Sequence, residues 1–154
     1  MLGHREKSQR NKVKTLSTRL KEKEEKIQRL LERLAEESAR GTPVIVEGKK
    51  DIETLRVLGV EGEIISAKTG GKSRLDVVSE AEKRDSRELI LLLDFDRRGK
   101  EWTQVLKQQL EKAKIKPNLR FWKDLQSLVG KEVKDIEGLA SYIETLKRKA
   151  QILS

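Results

Sequence analysis

The chain has 154 residues with 35 Lys and Arg against 26 Asp and Glu, and its net charge of +9 favours a polyanionic partner, nucleic acid before an anionic membrane. It has no Cys, which excludes disulfides, thiolate zinc sites and a cysteine nucleophile. No apolar stretch reaches the length of a membrane span and the N-terminus lacks the apolar segment of a signal peptide, so we expect a cytoplasmic protein without a membrane partner.

Residues 1–40 are predicted to form a basic amphipathic helix, because they contain no Pro and no Gly after Gly3. Apolar residues recur every seven positions, at Val13, Leu20, Ile27 and Leu34. Leu16 and Leu30 occupy a second set of positions at the same spacing, which Lys23 interrupts. Three roles for this helix stay open: packing on its own domain, contact with nucleic acid, and pairing with a second copy or another protein.

Residues 41–154 alternate between short apolar runs and amphipathic stretches, which predicts an α/β domain with a parallel sheet covered by helices on both faces. The predicted strands are residues 44–46, 63–67, 88–93 and 118–121. The predicted helices are residues 49–58, 73–83 and 100–114 and a last helix with its apolar face at Ile136, Leu139, Ala140, Ile143 and Leu146. Ser73 is the expected cap of the second of these helices, and the third is expected to bury Trp102, Val105, Leu106, Leu110 and Ala113.

Acidic residues directly follow the first and third predicted strands. Glu47 comes after residues 44–46, and Asp94 and Asp96 come after residues 89–93. The ligand crevice of an open α/β sheet lies beyond the carboxyl ends of its strands, so we expect these three carboxylates to share one crevice. They suit a hard divalent cation, Mg²⁺ with Mn²⁺ as the alternative. Each acid taken alone is also explained as a helix cap.

Small and basic residues flank these acids and are predicted to bind a phosphate-containing substrate. The glycines would permit close approach of backbone and phosphate near helix starts that favour anions, and the cations would offset phosphate charge. The predicted substrate-binding residues are Gly48, Lys49, Arg97, Arg98, Gly99 and Lys100.

Two segments resemble the signature motifs of the Toprim domain, namely Val46-Glu47-Gly48-Lys49-Lys50-Asp51 and Asp94-Phe95-Asp96-Arg97-Arg98-Gly99. This domain is shared by type IA topoisomerases, bacterial-type primases, gyrase-like enzymes, OLD-type nucleases and the ribonuclease that matures 5S rRNA. The resemblance covers about residues 43–140 and is closest to the small stand-alone Toprim proteins. Residues 134–139 are also similar to the C-terminal segment of those proteins. It implies a Rossmann-like Toprim fold over residues 41–154, with Glu47 as general acid/base and Asp94 and Asp96 as the metal site.

Several Toprim reactions do not suit this chain. A topoisomerase needs a nucleophilic tyrosine from a separate domain, whereas Tyr142 is the only Tyr here and falls on the last predicted helix. The usual primase zinc module is excluded by the absence of Cys. We therefore expect a small Mg²⁺-dependent nuclease or RNA-processing factor resembling the core of the 5S rRNA maturase, with RNA favoured over DNA. The alternative is a non-catalytic RNA- or DNA-binding adaptor that retains the metal site.

Residues 66–73 form a second candidate phosphate site. Their sequence is similar to the phosphate loop G-x-x-x-x-G-K-[ST], but Ser66 stands where the first Gly belongs. A basic loop that contacts phosphate, or a simple turn, is therefore expected in place of a nucleotide-hydrolase site.

Overall fold

Four short parallel strands form the centre of the computed structural model, which describes residues 2–68 and 76–153. They are β1 (Val44–Val46), β2 (Ile64–Ser66), β3 (Glu88–Leu91) and β4 (Lys116–Asn118). The sheet order is β2-β1-β3-β4, and every neighbouring pair is parallel. The α/β class and the four-stranded parallel sheet predicted from the sequence are confirmed.

Six helices of the described chain connect the strands and cover the sheet. They are α1 (Leu2–Ala39), α2 (Lys49–Val57), α3 (Val77–Lys83), α4 (Arg97–Lys112), α5 (Arg120–Val129) and α6 (Ile136–Leu153). Successive strand residues point to opposite faces, so the core has two halves. Val44, Val46 and Ile90 pack with α1, α2, α5 and α6, whereas Ile45 and the alternate β3 positions pack with α3 and α4.

The last strand and the helix after it differ from the sequence prediction. β4 ends at Asn118, and residues 120–129 form a helix that the sequence prediction missed, so Phe121 is helical. The Asn118 side chain accepts a hydrogen bond from the Arg120 N–H at 3.1 Å, which turns the chain into α5. Phe121, Trp122, Leu125 and Val129 then fall on one buried helical face.

Two other helices begin at positions other than those predicted. α4 starts at Arg97, three residues earlier than expected, because the Asp96 side chain caps it. Its Val105 is 48 % exposed, so the prediction that Val105 faces the core was wrong. In α3 the cap is Asp76, whose Oδ1 accepts from the Ser79 N–H at 3.1 Å, while Ser73 lies outside the described residues.

The long helix α1 packs on its own domain. It runs antiparallel to α6, with the Ser17 hydroxyl donating to the Ala150 carbonyl at 3.1 Å, and it buries residues such as Ile27 and Leu34 in the same core half as α2 and α5. Lys23 interrupts the apolar positions of α1. Its Nζ lies 3.5 Å from the Glu132 carboxylate and 5.3 Å from the centroid of the Tyr142 ring. Neither α1 nor another helix of the described ranges is apolar enough to cross a membrane.

Candidate functional site

Glu47 and Asp94 lie together at the carboxyl edge of the sheet, directly after β1 and after the end of β3 respectively. β2 lies on one side of β1 and β3 lies on the other, so the direction in which strands are added to the sheet reverses between β1 and β3. At such a reversal an α/β sheet opens a ligand crevice. The Glu47 carboxylate is 4 % exposed and its Oε2 accepts from the Asp94 N–H at 2.9 Å. The structure therefore brings together two of the three predicted acids.

The Asp94 carboxyl is crowded by other acids. Burial, a side-chain hydrogen bond with Glu47 and repulsion from Glu47, Asp51 and Asp135 raise the pKa of Asp94 to about 8. At neutral pH the Asp94 carboxyl therefore holds its proton, and its side-chain hydrogen bond with Glu47 favours that protonated form. The crevice carries more acid than its surroundings can stabilise as anions, a condition that a bound cation would relieve.

Asp51 belongs to this cluster, although the sequence prediction assigned it no role. It is 7 % exposed, and its two oxygens accept from the Gly48 N–H at 3.1 Å and from the Glu137 N–H at 3.3 Å. Burial first, then repulsion from Asp135 and Glu47, raises the pKa of Asp51. Its position three residues after the helix cap is the capping-box position, which could have indicated it from the sequence.

Asp135 is the second acid that the prediction left unassigned. Its Oδ1 accepts from the Gly138 N–H at 2.7 Å and so caps α6. The Phe95 N–H donates to the Lys134 carbonyl at 2.6 Å, so the start of α6 is fastened to the chain that carries Asp94. Residues 134–139, which resemble the C-terminal Toprim segment, thus form one wall of the crevice.

Asp96, the third predicted acid, serves as a helix cap. Its Oδ1 accepts from the Gly99 N–H at 2.8 Å at the start of α4, and the residue is exposed. Within residues 2–68 and 76–153 no three Asp, Glu, His or Cys side chains converge closely enough to hold a metal ion as they stand. The donors nevertheless suit a hard cation, because they are carboxylates.

The two predicted glycines have different roles. A Cβ on Gly99 would lie 2.0 Å from the Asp94 carbonyl oxygen, so this buried glycine lets α4 approach the end of β3. Its expected role in admitting a phosphate stays a prediction. Gly48 has a φ of −142° and open space where a Cβ would be, so phosphate could approach there.

The four predicted cations are exposed around the crevice. Lys49 and Lys100 form no ion pair among the described residues, whereas Arg97 forms one with Glu101 at 3.2 Å. Arg98 lines a groove between α3 and α4 that also includes Trp102. All four lie at the starts of α2 and α4, the two helices that follow the acid-bearing ends of β1 and β3.

The end of β3 is held in place by the buried indole of Trp122, which donates to the Leu93 carbonyl at 2.9 Å. Trp122 also packs against Phe95, with 6.3 Å between the centroids of the two rings. Leu93 directly precedes Asp94, so α5 determines where that carboxyl lies. Both aromatic residues belong to the hydrophobic core.

Only the first part of the predicted phosphate loop lies within the described residues. The Ser66 hydroxyl bonds to the carbonyl of Glu47 at 3.2 Å and to that of Lys68 at 2.7 Å, so β2 is tied to the crevice. Residues 69–73 lie outside the described ranges.

Comparison with known proteins identifies relatives in archaea. A UPF0292 protein of Methanosarcina barkeri is 37 % identical over 125 residues, covering 81 % of this chain and 85 % of the relative. Its counterpart in Methanocaldococcus jannaschii is 38 % identical over 120 residues, covering 77 % and 91 %. A solved structure of an Aquifex aeolicus protein has the same fold, with a TM-score of 0.56 at 23 % identity over 71 % of this chain and 94 % of that one. No protein-family model matches the chain.

Proposed function

The chain belongs to the UPF0292 family, and we propose that it is a small Mg²⁺-dependent nuclease or RNA-processing factor that acts on phosphodiester bonds. The observation that carries the proposal is the contact of Glu47 with Asp94 in the crevice between β1 and β3. A buried glutamate that is held beside an aspartate at the carboxyl edge of the sheet is placed to accept and return a proton during phosphodiester cleavage. The resemblance to Toprim motifs supports the same chemistry.

Glu47 is proposed as the general acid/base. Its carboxylate is buried and oriented by the Asp94 N–H, so it keeps one position while a substrate binds. Asp51 and Asp135 would hold the surrounding helix starts in place and add negative charge.

Asp94 and Asp96 are proposed to hold the cation, Mg²⁺ or Mn²⁺. Asp96 uses Oδ1 to cap α4, which leaves Oδ2 for a ligand. A bound divalent cation would polarise the phosphate and stabilise the charge that develops on it. Lys49 and Lys100 at the rim would contact neighbouring phosphates, and RNA is favoured over DNA through the resemblance to the 5S rRNA maturase.

The decisive experiment is a cleavage assay of purified protein with labelled structured RNA, single-stranded RNA and DNA in Mg²⁺ or Mn²⁺. We expect Glu47→Gln and Asp94→Asn each to lower the cleavage rate by a factor of about 100 or more. Glu53→Gln, which removes an exposed acid from the middle of α2, is the control and should cut normally. Equal cleavage by all four proteins would reveal a contaminating nuclease and refute the proposal.

A non-catalytic nucleic-acid adaptor is the second candidate. It is favoured by the capping role of Asp96 and by the lack of a converged ligand set among the described residues. An adaptor would cleave none of the substrates and would bind RNA or DNA equally well with Glu47→Gln. A nuclease would instead lose cleavage and keep binding in that variant.

A further inference from the structure

Two grooves on the α5 side of the molecule join into one basic surface. The first lies beside the edge strand β4 and includes the basic side chains of Lys107, Lys114, Lys116, Arg120 and Lys123. The second lies between α1 and α5 and includes those of Lys26, Arg29 and Arg33. Asp124 lines both grooves, so they are continuous across α5. We call these two joined grooves the basic track.

The charge of the basic track is strongly unbalanced. Against its eight basic side chains stand two acidic ones, those of Glu111 and Asp124. Among the described residues only Lys116 of the eight forms an ion pair, with Glu88 at 3.7 Å. The groove between α3 and α4 is different, because it balances two cations with the two acids Asp76 and Glu101. The positive charge is therefore concentrated on the track and is not merely a uniform consequence of composition.

The basic track begins at the same edge of the sheet as the Glu47–Asp94 pair. β4 is parallel to β3, so its carboxyl end, where Arg120 opens α5, lies at that edge. Two residues later the Trp122 indole bonds to the Leu93 carbonyl next to Asp94. From there the track follows α5 to α1, where Lys26, Arg29 and Arg33 share one helical face by their spacing.

The chemistry of the track indicates its ligand. It offers a groove of cations, seven of which form no ion pair among the described residues, and such a groove suits a row of phosphates. It does not offer bases a stacking platform, because Trp102, Trp122, Phe95 and Phe121 are each at most 7 % exposed. Edge pairing with a peptide strand is also disfavoured, since β4 is three residues long and contains Pro117.

We infer that the basic track binds the phosphate backbone of a double-stranded nucleic acid and leads it to the crevice of Glu47 and Asp94. The inference rests on the proposed function for the chemistry at the end of the track, but binding by the track requires neither a metal nor Glu47. RNA and DNA duplexes present the same phosphates, and the experiment separates them.

The test is the affinity of the full chain for a short RNA duplex, a DNA duplex and a single strand, measured by fluorescence anisotropy in EDTA at several salt concentrations. The variants are Arg120→Gln with Lys123→Gln, and Arg29→Gln with Arg33→Gln, each pair removing two exposed charges from one groove. Lys83→Gln with Lys112→Gln, two exposed cations outside the track, is the matched control. Thermal unfolding of each protein checks that the fold is retained.

We expect each track pair to weaken duplex binding about tenfold near physiological salt and to reduce the slope of log K against log salt by about 2. The control pair should change affinity less than about twofold. Equal losses in the track and control pairs, or no duplex binding at that salt, would overturn the inference. So would track pairs that weaken binding to phosphatidylserine vesicles but leave duplex binding intact.

The outcomes also separate this inference from the proposed function. Duplex binding that depends on the track, in a protein that cleaves nothing with Mg²⁺ or Mn²⁺, would support the track and refute the nuclease. Cleavage that needs Glu47, with unchanged binding in both track pairs, would refute the track alone.

Discussion

The Glu47 carboxylate accepts a hydrogen bond from the backbone N–H of Asp94 across 2.9 Å, although 47 positions separate the two residues in the chain. Because the donor is a backbone group, the acid at the end of β1 is aligned by the path of the chain after β3. The two side chains are then held in contact between β1 and β3, where the order of the strands in the sheet reverses. One hydrogen bond between the ends of β1 and β3 therefore fixes the proposed catalytic acid relative to the proposed metal ligand.

Substitutions at Glu47 should separate its structural role from its chemical one. Glu47→Gln retains an oxygen that accepts from the Asp94 N–H and removes a buried acid, so we expect unchanged or slightly higher stability. Glu47→Ala leaves that N–H without its partner and should lower the free energy of unfolding by about 1–3 kcal/mol. Urea unfolding of both variants checks this, and an equal loss in both would show that the hydrogen bond does not stabilise the fold.

Stability should decrease as pH rises, because the pKa of Asp94 is raised from its ordinary value of 3.8 to about 8 by burial and neighbouring acids. A raised pKa means that the folded protein holds a proton that the unfolded chain releases. The stabilisation is complete below pH 3.8 and is lost as pH rises through about 8. We expect the free energy of unfolding of the wild type to fall as pH rises from 3.8 to about 8 and to level off above that.

Two comparisons test the origin of that decrease. Asp94→Asn cannot ionise at this position, so its stability should depend less on pH over the same interval. Added Mg²⁺ should restore stability mainly above pH 8, where the free carboxylates bind it. Identical pH profiles for the wild type and Asp94→Asn, measured by urea unfolding, would contradict the assignment.

Gly99→Ala should be destabilising even though alanine favours helices. Its Cβ would lie 2.0 Å from the Asp94 carbonyl oxygen, and the nearest atoms are all backbone atoms of Asp94, which cannot rotate away as a side chain could. We expect a loss of about 3 kcal/mol and a displaced Asp94. Gly48→Ala is the control, because its Cβ meets open space at a φ of −142°, and it should cost less than about 1 kcal/mol. Similar melting temperatures for the two variants would contradict the close packing of α4.

Truncation should show that α1 belongs to the core of its own domain. Residues 10–12 are exposed, so removing residues 1–12 should leave the melting temperature nearly unchanged. Removing residues 1–40 also deletes Ile27, Leu31 and Leu34, each worth about 1.5–3 kcal/mol of burial, and bares the face of α6. We expect that shorter protein to unfold or aggregate. A stable domain of residues 41–154 by calorimetry would show instead that α1 is an independent appendage.

The sequence by itself determined the elements that local patterns specify. Aliphatic runs such as residues 89–93 predict buried strands, and the alternation with amphipathic stretches predicts the parallel sheet, which the structure has. The acids after β1 and β3 were predicted to meet because parallel strands end at one edge, and Glu47 and Asp94 do meet. Local patterns failed at residues 120–129, where a preceding Pro and a short apolar run suggested a strand.

Tertiary structure decided which polar groups join the site and which only cap helices. Asp94 and Asp96 are two residues apart, yet one is crowded among acids while the other accepts from the Gly99 N–H. Asp51 and Asp135 enter the cluster because α2 and α6 begin side by side, a contact across 86 positions that no local pattern contains. The same holds for the basic track, since Arg29 and Arg120 share a surface only after α1 packs on α5. Helix starts and charges are local properties, whereas burial and repulsion depend on which segments the fold brings together.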